Sequence, residues 1–217
     1  MTTNGYLTKK SVRRSWYLYD WANSSFSTTV ITLFLGPYLT SIAENAADAS
    51  GMISLWGINM RPGSLFPYVI SFSVFAQVFV LPIVGAIADR IKSRNGFLAI
   101  FAYLGAFATI CLYFVQGERF ALGAFLLIVA NISFGAALVV ANSYIPDLAS
   151  PDKRDAVSSR GWAMGYAGGG LLLLLNLYLY SSYESFGITE AEAVRISLTS
   201  AGIWWALFTI ITVRGLK

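Results

Sequence analysis

The sequence contains no histidine, a single cysteine and few charged residues. The absence of histidine removes the most common general base and metal ligand, and Cys111 alone cannot form an intramolecular disulfide. Charged residues make up 12% of the chain and hydrophobic residues 56%, whereas a soluble domain carries about 25% charged residues. The composition therefore predicts an integral membrane protein and excludes a water-soluble domain.

The net charge of +4 does not indicate a nucleic-acid partner. The basic residues lie in short segments between apolar stretches, as they do in the loops of membrane proteins. No basic helix or aromatic platform for nucleic acid accompanies them. We therefore expect the chain to sit in a lipid bilayer, with no nucleic acid, no metal and no cofactor bound.

Six apolar stretches reach the roughly 20 residues that a helix needs to cross a bilayer. We predict an all-α membrane protein with a tail at 1–18 and a six-span domain at 19–217. The predicted spans are about 19–42, 65–88, 96–115, 120–144, 161–181 and 195–213. Twelve of the 15 Lys and Arg residues fall in the tail and in the segments on its side of the membrane. Because basic residues accumulate in cytoplasmic loops, both termini are predicted to be cytoplasmic.

The loop between the second and third spans has a specific pattern, with Gly85, Asp89, Arg90 and Arg94 at fixed spacing. It resembles the Gly-x-x-x-Asp-Arg-x-Gly-Arg-Arg signature of the major facilitator superfamily of transporters, with other residues at positions 92 and 93. The resemblance implies the N-terminal half of that fold, which is built from two inverted three-helix repeats.

The loop after the fourth span resembles the corresponding loop of the same superfamily, through the run Tyr144-Ile-Pro146-Asp147-Leu148 and Arg154. In that family the charged residues of these loops bias the opening and closing of the two halves. The resemblance therefore implies a set of conformational residues: Gly85, Asp89, Arg90, Arg94, Asp147 and Arg154.

The runs Asp20-Trp21-Ala22-Asn23-Ser24, Ser158-Ser-Arg160-Gly161 and Trp204-Trp205 are similar to one branch of the superfamily. That branch includes the autophagy-associated vacuolar amino-acid effluxer and its bacterial relatives. The resemblance implies a permease of small solutes, with amino acids as the leading candidates, in the inner (plasma) membrane of a bacterial cell. Complete members have about twelve spans. We therefore expect a partial transporter that works with a C-terminal six-span half, in the same or a separate chain, or with a second copy.

Polar residues are unevenly distributed among the spans. They concentrate in spans 1 and 4, the two that the resemblance places along the central solute path, whereas spans 3 and 6 are nearly all apolar. Hydrogen bonds between helices, without solute contact, are an equally good interpretation of any one of them. The candidate path residues are Asn23, Ser27, Thr28, Gln77, Asn131, Asn142 and Tyr166, and Asn131 is the preferred mid-membrane contact.

Asp20 is the only carboxylate near the polar face of a span. Ionisable groups at membrane depth are candidates for function, so Asp20 is a possible proton-coupling group or ion site. Its alternative role is to cap or anchor the cytoplasmic end of the first span. Gly161, Gly165 and Gly169 recur every four residues and predict a face on which another helix packs closely, either as a fixed seam or as a sliding surface.

The resemblance to the major facilitator superfamily implies a secondary active transporter that works by alternating access. A membrane-embedded enzyme is not expected, because the interiors of spans 2 to 5 contain no Asp, Glu, Lys or Arg. A non-transporting scaffold or assembly subunit remains the alternative function.

Overall fold

The computed structural model describes residues 10–216. Eight α-helices occur in this part of the chain: α1 Lys10–Ser25, α2 Leu35–Asn45, α3 Leu65–Ala88, α4 Arg94–Cys111, α5 Phe120–Asn142, α6 Ile145–Leu148, α7 Arg154–Ser181 and α8 Glu190–Gly215. A π-helix, Phe26–Phe34, joins α1 to α2. Short 3-10 helices lie at Pro62–Ser64, Leu112–Phe114, Pro151–Lys153 and Tyr183–Phe186.

Six helical segments are long and apolar enough to cross a membrane: Lys10–Asn45, Pro62–Ala88, Arg94–Phe114, Phe120–Leu148, Pro151–Ser181 and Glu190–Gly215. The prediction of a helical, multi-pass membrane protein is therefore confirmed. Four helices, α1, α4, α7 and α8, begin before the predicted apolar stretches, because helix formation continues through charged residues that apolar scanning leaves out. Residues 10–18, predicted as part of a tail, are helical, and α7 begins at Arg154 rather than at 161.

The start of α8 shows how the sequence fixes a helix end. The Thr189 hydroxyl accepts a hydrogen bond from the backbone N–H of Glu192 at 3.2 Å, which pairs one of the free N–H groups of the first turn. Glu190 and Glu192 lie in that turn, where negative charge is favourable beside the positive end of the helix dipole. These residues explain why α8 begins at Glu190, five residues before the predicted apolar stretch.

A short β-hairpin interrupts the otherwise helical fold and was not predicted from the sequence. Strands β1 Ile53–Leu55 and β2 Ile58–Met60 pair antiparallel. Trp56 and Gly57 connect them, with φ of 51° and 87°. Two consecutive residues with positive φ are typical of the tight turns whose twist matches paired strands. The strands are too short for a period of two to stand out from the sequence.

The first span changes its helical geometry near the middle of its length. From Phe26 to Phe34 the backbone hydrogen bonds span five residues instead of four. The Thr32 hydroxyl bonds the carbonyl of Ser27, also five residues back, at 2.8 Å. Pro37 follows in α2 and supplies no N–H to the preceding turn. The first span therefore contains a wide helical segment that was not predicted from the sequence.

The packing of the helices repeats between the two halves of the chain. α1 packs against α7 and α8, α5 packs against α3 and α4, and α4 packs against α8. The first three spans contain α1, α3 and α4, and the last three contain α5, α7 and α8. The contacts of α1 with α7 and α8 correspond to those of α5 with α3 and α4, and the contact between α4 and α8 corresponds to itself. Two inverted three-helix repeats require this correspondence. The most apolar stretch of Phe120–Leu148 is 61% buried and that of Pro62–Ala88 only 11%, so α5 lies inside the bundle and α3 at its edge.

The core lies where α1, α4, α5 and α8 meet. Trp205, Tyr19 and Phe26 are its largest fully buried side chains, and the rings of Phe26 and Trp205 lie 5.6 Å apart. α4 and α8 approach so closely that a β-carbon on Gly202 would lie 2.7 Å from the carbonyl oxygen of Ala106. Lipid provides little hydrophobic drive for helix association, so this close contact between backbones stabilises the bundle.

Candidate functional site

A cavity of about 340 Å³ lies between α1, α5, α7 and the π-helix. Its wall combines one carboxylate, two amides, three hydroxyls and three aromatic rings with one aliphatic side chain. The lining residues are Asp20, Asn23, Ser24, Ser27, Thr28, Phe134, Leu138, Asn142, Trp162 and Tyr166. The structure thus brings together five of the seven candidate path residues and Asp20.

The first span presents its polar residues to the cavity as one helical stripe. Asp20, Ser24 and Thr28 are spaced four residues apart and therefore lie on one face. The Thr28 hydroxyl is bound to two backbone carbonyls, that of Ser24 at 2.9 Å and that of Gly169 at 3.2 Å. Such bonds hold the side chains in place within the membrane.

The glycine series of α7 lies against this stripe. A β-carbon on Gly165 would lie 2.5 Å from the Ser24 hydroxyl oxygen, and one on Gly169 would lie 3.0 Å from the Ser24 carbonyl oxygen. A β-carbon on Gly161 would meet the Asp20 carboxylate. The small residues predicted to form a packing face therefore bring α7 into backbone contact with α1 at the edge of the cavity.

Asp20 lies half-buried in the middle of α1, which begins at Lys10. It is therefore not at a helix end, and the cap role considered from the sequence does not apply. Among residues 10–216 the one ion pair joins Arg94 to Asp147, so Asp20 has no basic partner in this part of the chain. The cavity consequently holds a carboxylate that is open to pairing with a cation.

Two aromatic side chains form the open rim of the cavity. Trp162 and Tyr166 are 63% and 68% exposed, and their ring centroids lie 6.2 Å apart. The faces of such rings attract cations. Together with Asp20 they make the cavity suited to a small solute that carries a positive charge.

Gln77 and Asn131 lie outside the cavity. The Asn131 side-chain nitrogen donates to the Ser73 hydroxyl at 2.7 Å, and the Gln77 side chain donates to the backbone carbonyl of Asn131 at 3.3 Å. Asn131 lies about one turn of α5 from Phe134, which lines the cavity. Its hydrogen-bond partner, Ser73, belongs to the neighbouring helix α3. The preference for Asn131 as the mid-membrane contact therefore does not match the structure, which shows the interhelical alternative for both residues.

The two charged loops are joined by Arg94. Its guanidinium forms an ion pair with Asp147, donates to the carbonyl of Ser143 at 2.8 Å and lies 4.5 Å above the Tyr144 ring. These contacts connect the start of α4 to the end of α5. Of the predicted conformational residues, the structure thus brings Arg94 and Asp147 together.

The other predicted conformational residues have different surroundings. Asp89 and Arg90 are exposed and form no ion pair within residues 10–216. A β-carbon on Gly85 would lie 3.5 Å from Val139, so Gly85 packs at the contact between α3 and α5. The buried Nε of Arg154 has no hydrogen-bond partner in the described part of the chain. Within residues 10–216, none of these four residues forms a side-chain hydrogen bond or ion pair with Arg94 or Asp147.

We expect Arg94 and Asp147 to be energetically coupled by about 1 kcal/mol, because the pair is charge-assisted yet partly exposed. A double-mutant cycle with Arg94→Ala and Asp147→Ala, followed by chemical unfolding in mixed micelles, measures the coupling. Arg90→Ala with Asp147→Ala is the matched control, for which we expect additive effects. Additive effects for the Arg94 cycle as well would contradict the contact.

A second cavity, of about 420 Å³, lies at the other end of the bundle among α2, α7 and α8. Its wall is mostly apolar, with Leu33, Pro37 and Leu177 among its residues. Its carboxylate, Glu190, already accepts a hydrogen bond from Tyr180. We therefore assign the candidate functional site to the cavity that contains Asp20.

A sequence model of the family described as "Vacuole effluxer Atg22 like" matches residues 8–217. The chain belongs to this family. It is 30% identical over 199 residues to the "Uncharacterized MFS-type transporter YxiO" of Bacillus subtilis, covering 90% of this chain and 44% of that protein. It is 27% identical over 223 residues to "Autophagy-related protein 22" of Yarrowia lipolytica, covering 76% of this chain and 37% of that protein. The chain thus spans less than half the length of these relatives.

Among solved structures, the chain is similar to the inward-open xylose transporter XylE from E. coli, with a TM-score of 0.60. The match covers 93% of this chain and 46% of that protein, at 15% sequence identity. This similarity shows the fold, which is that of the major facilitator superfamily. The expected resemblance to that superfamily, and to its Atg22-like branch, is therefore confirmed.

Four residues of the cavity were not predicted from the sequence: Ser24, Phe134, Leu138 and Trp162. Helical spacing could have identified two of them, since Ser24 follows Asp20 by four residues and Trp162 precedes Tyr166 by four. The other two are ordinary apolar residues in an apolar helix. No sequence signal distinguishes such residues in this member of the Atg22-like family.

Proposed function

We propose that the chain is the N-terminal half of a secondary active transporter that moves amino acids by alternating access. The observation that supports this is the Asp20 carboxylate, which has no basic partner in the described part of the chain and lies in a cavity rimmed by Trp162 and Tyr166. A carboxylate and aromatic faces bind an ammonium group. The Asn23 side-chain oxygen can accept from the same ammonium group, and the exposed amide of Asn142 can donate to a solute carboxylate.

In this proposal the cavity is one wall of a solute site. Trp162 and Tyr166 expose their rings on its open side, where a C-terminal six-span half or a second copy would form the opposite wall. The relatives named as transporters support this arrangement, because each is more than twice as long as the segment matched. We place the protein in the inner membrane of a bacterial cell, with both termini cytoplasmic.

The proposal is tested by binding of a matched pair of solutes to the purified chain in detergent. We expect leucine to raise the thermal unfolding temperature and N-acetyl-leucine to have no effect, because acetylation removes the positive charge that Asp20 would pair. D-xylose serves as an uncharged control. Equal effects of leucine and N-acetyl-leucine would contradict the amine site, and no effect of any amino acid would favour the scaffold alternative.

Substitution of two asparagines distinguishes a residue that contacts the solute from one that only stabilises the fold. We expect Asn23→Ala to weaken leucine binding about fivefold, since a hydrogen bond contributes about 1 kcal/mol. Asn131→Ala should leave the affinity unchanged and lower stability by about 1 kcal/mol, because it removes the buried hydrogen bond from Asn131 to the Ser73 hydroxyl. Titration calorimetry and unfolding of both variants measure these effects, and an affinity loss at Asn131 would contradict this site.

A further inference from the structure

The β-hairpin between the first two spans has one apolar face and one polar face. Side chains alternate between the two faces of a strand. The apolar face consists of two cross-strand pairs, Ile53–Met60 and Leu55–Ile58. The pair between them, Ser54 and Asn59, lies on the opposite face, and both residues are exposed. The hairpin is therefore amphipathic, although each strand has only three residues.

The apolar face rests on the helical bundle at one end and is uncovered at the other. Ile53, Leu55 and Met60 are at most 7% exposed and belong to the hydrophobic core. Ile58, on the same face, is 64% exposed, and Trp56 in the adjoining turn is 62% exposed. The tip of the hairpin thus presents two large apolar side chains that the described part of the chain leaves uncovered.

The chain holds this tip at the surface of the membrane. The hairpin connects two membrane-spanning segments, of which the first ends at Asn45 and the second begins at Pro62. Only Arg61 separates β2 from the second segment, so the hairpin cannot move far from the bilayer. At this level the bundle is bordered by the headgroup region of the lipid.

Trp56 adopts a backbone conformation that is unfavourable for its residue type. Its φ of 51° is the one positive value at a non-glycine residue among residues 10–216. The first position of such a turn favours asparagine, aspartate or glycine, and a bulky side chain there is strained. Because the ring is mostly exposed, packing within the fold does not compensate for the strain. Strain of this kind indicates a role for the residue beyond the fold.

The composition of the hairpin suits the headgroup region better than water or the hydrocarbon core. Residues 49–60 contain no charged residue, so immersion of the tip desolvates no charge. The outer edges of a two-stranded sheet keep unpaired N–H and C=O groups, which hydrocarbon cannot satisfy. Tryptophan is enriched at the membrane interface because its ring is apolar and its indole N–H needs a polar partner.

We propose that the hairpin tip, Trp56 with Ile58, is a membrane anchor that inserts into the lipid headgroup region beside the bundle. The anchor fixes the depth of the hairpin and, through Arg61, the depth at which the second span begins. Arg61 is exposed, and its guanidinium can pair with lipid phosphates. The proposal concerns the outer surface of the chain and is independent of the solute that the Asp20 cavity binds.

Spin labels on the two faces of β2 test the anchor. Ile58→Cys and Asn59→Cys, each in a Cys111→Ala background, place a label at neighbouring exposed positions of opposite faces. The chain is reconstituted in liposomes of phosphatidylethanolamine and phosphatidylglycerol, and relaxation is measured with oxygen, which concentrates in lipid, and with a water-soluble nickel chelate. We expect the ratio of oxygen to nickel accessibility to be about threefold higher at position 58 than at position 59, because only the apolar face enters the lipid.

Trp56→Asn separates anchoring from folding, because asparagine is favoured at this position of the turn. The variant should keep the hairpin and lower the accessibility ratio at position 58 towards that at position 59. Equal, high accessibility to the nickel chelate at both positions with Trp56 intact would overturn the proposal and show a hairpin in water. Low accessibility to both agents at position 58 would also overturn it, since a second copy of the chain would then cover the tip.

A second measurement needs no cysteine variant. A phospholipid with a nitroxide on its headgroup should quench a larger fraction of the tryptophan emission of the unaltered chain than of Trp56→Asn. Equal quenched fractions in the two proteins would contradict the anchor.

Discussion

Replacing Asp20 with asparagine is expected to weaken the binding of leucine about 100-fold. The variant keeps the size and hydrogen-bonding capacity of the side chain and removes its charge, and a hydrogen bond to a charged group contributes about 2–3 kcal/mol. The half-buried position of Asp20 between Gly161 and the aromatic rim limits compensation by water. Titration calorimetry on the purified chain measures the loss.

Asp155→Asn is the matched control for this variant, because Asp155 is an exposed carboxylate in the first turn of α7. It should leave the affinity for leucine unchanged. The thermal stability of Asp20→Asn should remain near that of the unaltered chain, since no ion pair within the described residues is broken. Unchanged affinity in a folded Asp20→Asn variant would remove Asp20 from the solute site.

The largest expected effect on stability comes from Gly202→Ala. Its β-carbon would lie 2.7 Å from the Ala106 carbonyl oxygen and 2.8 Å from the backbone nitrogen of Ile110. These are backbone atoms of α4, so the clash is relieved only if α4 and α8 move apart. Overpacking of this kind costs about 3 kcal/mol, and we expect a corresponding fall in the free energy of unfolding measured in mixed micelles.

Gly170→Ala provides the comparison, because no atom lies within 4 Å of a β-carbon at that position. Alanine favours helix over glycine by about 1 kcal/mol, so this variant should be as stable as the unaltered chain or slightly more stable. A similar loss of stability in both variants would show that helix propensity, and not the contact between α4 and α8, governs position 202.

Much of the fold follows from the sequence because membrane spans leave a strong signal. Long apolar stretches without charge cannot be accommodated in water, so the six spans could be predicted from composition alone. The glycine spacing of α7 likewise predicted a close helix contact, although not that α1 is its partner. Helix ends were predicted less well, because charged residues such as Arg154 continue a helix beyond the apolar core.

The candidate site could be predicted in part. Polar residues in an apolar helix must find partners, and the sequence does not say whether the partner is a solute or a neighbouring helix. Asn23 and Asn131 look alike in sequence, yet Asn23 lines the cavity while Asn131 bonds Ser73. The difference depends on which helix covers each position, and this is a property of tertiary packing.

The π-helix Phe26–Phe34 makes the first span two helices that differ in phase. A residue added to a turn rotates everything beyond it by about 100° relative to an unbroken α-helix. The face that carries Asp20 and Ser24 therefore cannot be extended by counting in steps of 3.6 to Tyr38, which lies beyond the π-helix and donates its hydroxyl to the carbonyl of Val115. The directions of the side chains in α1 are consequently independent of those in α2. The polar face of α1 can therefore line the cavity while the residues of α2 pack differently at the other end of the span.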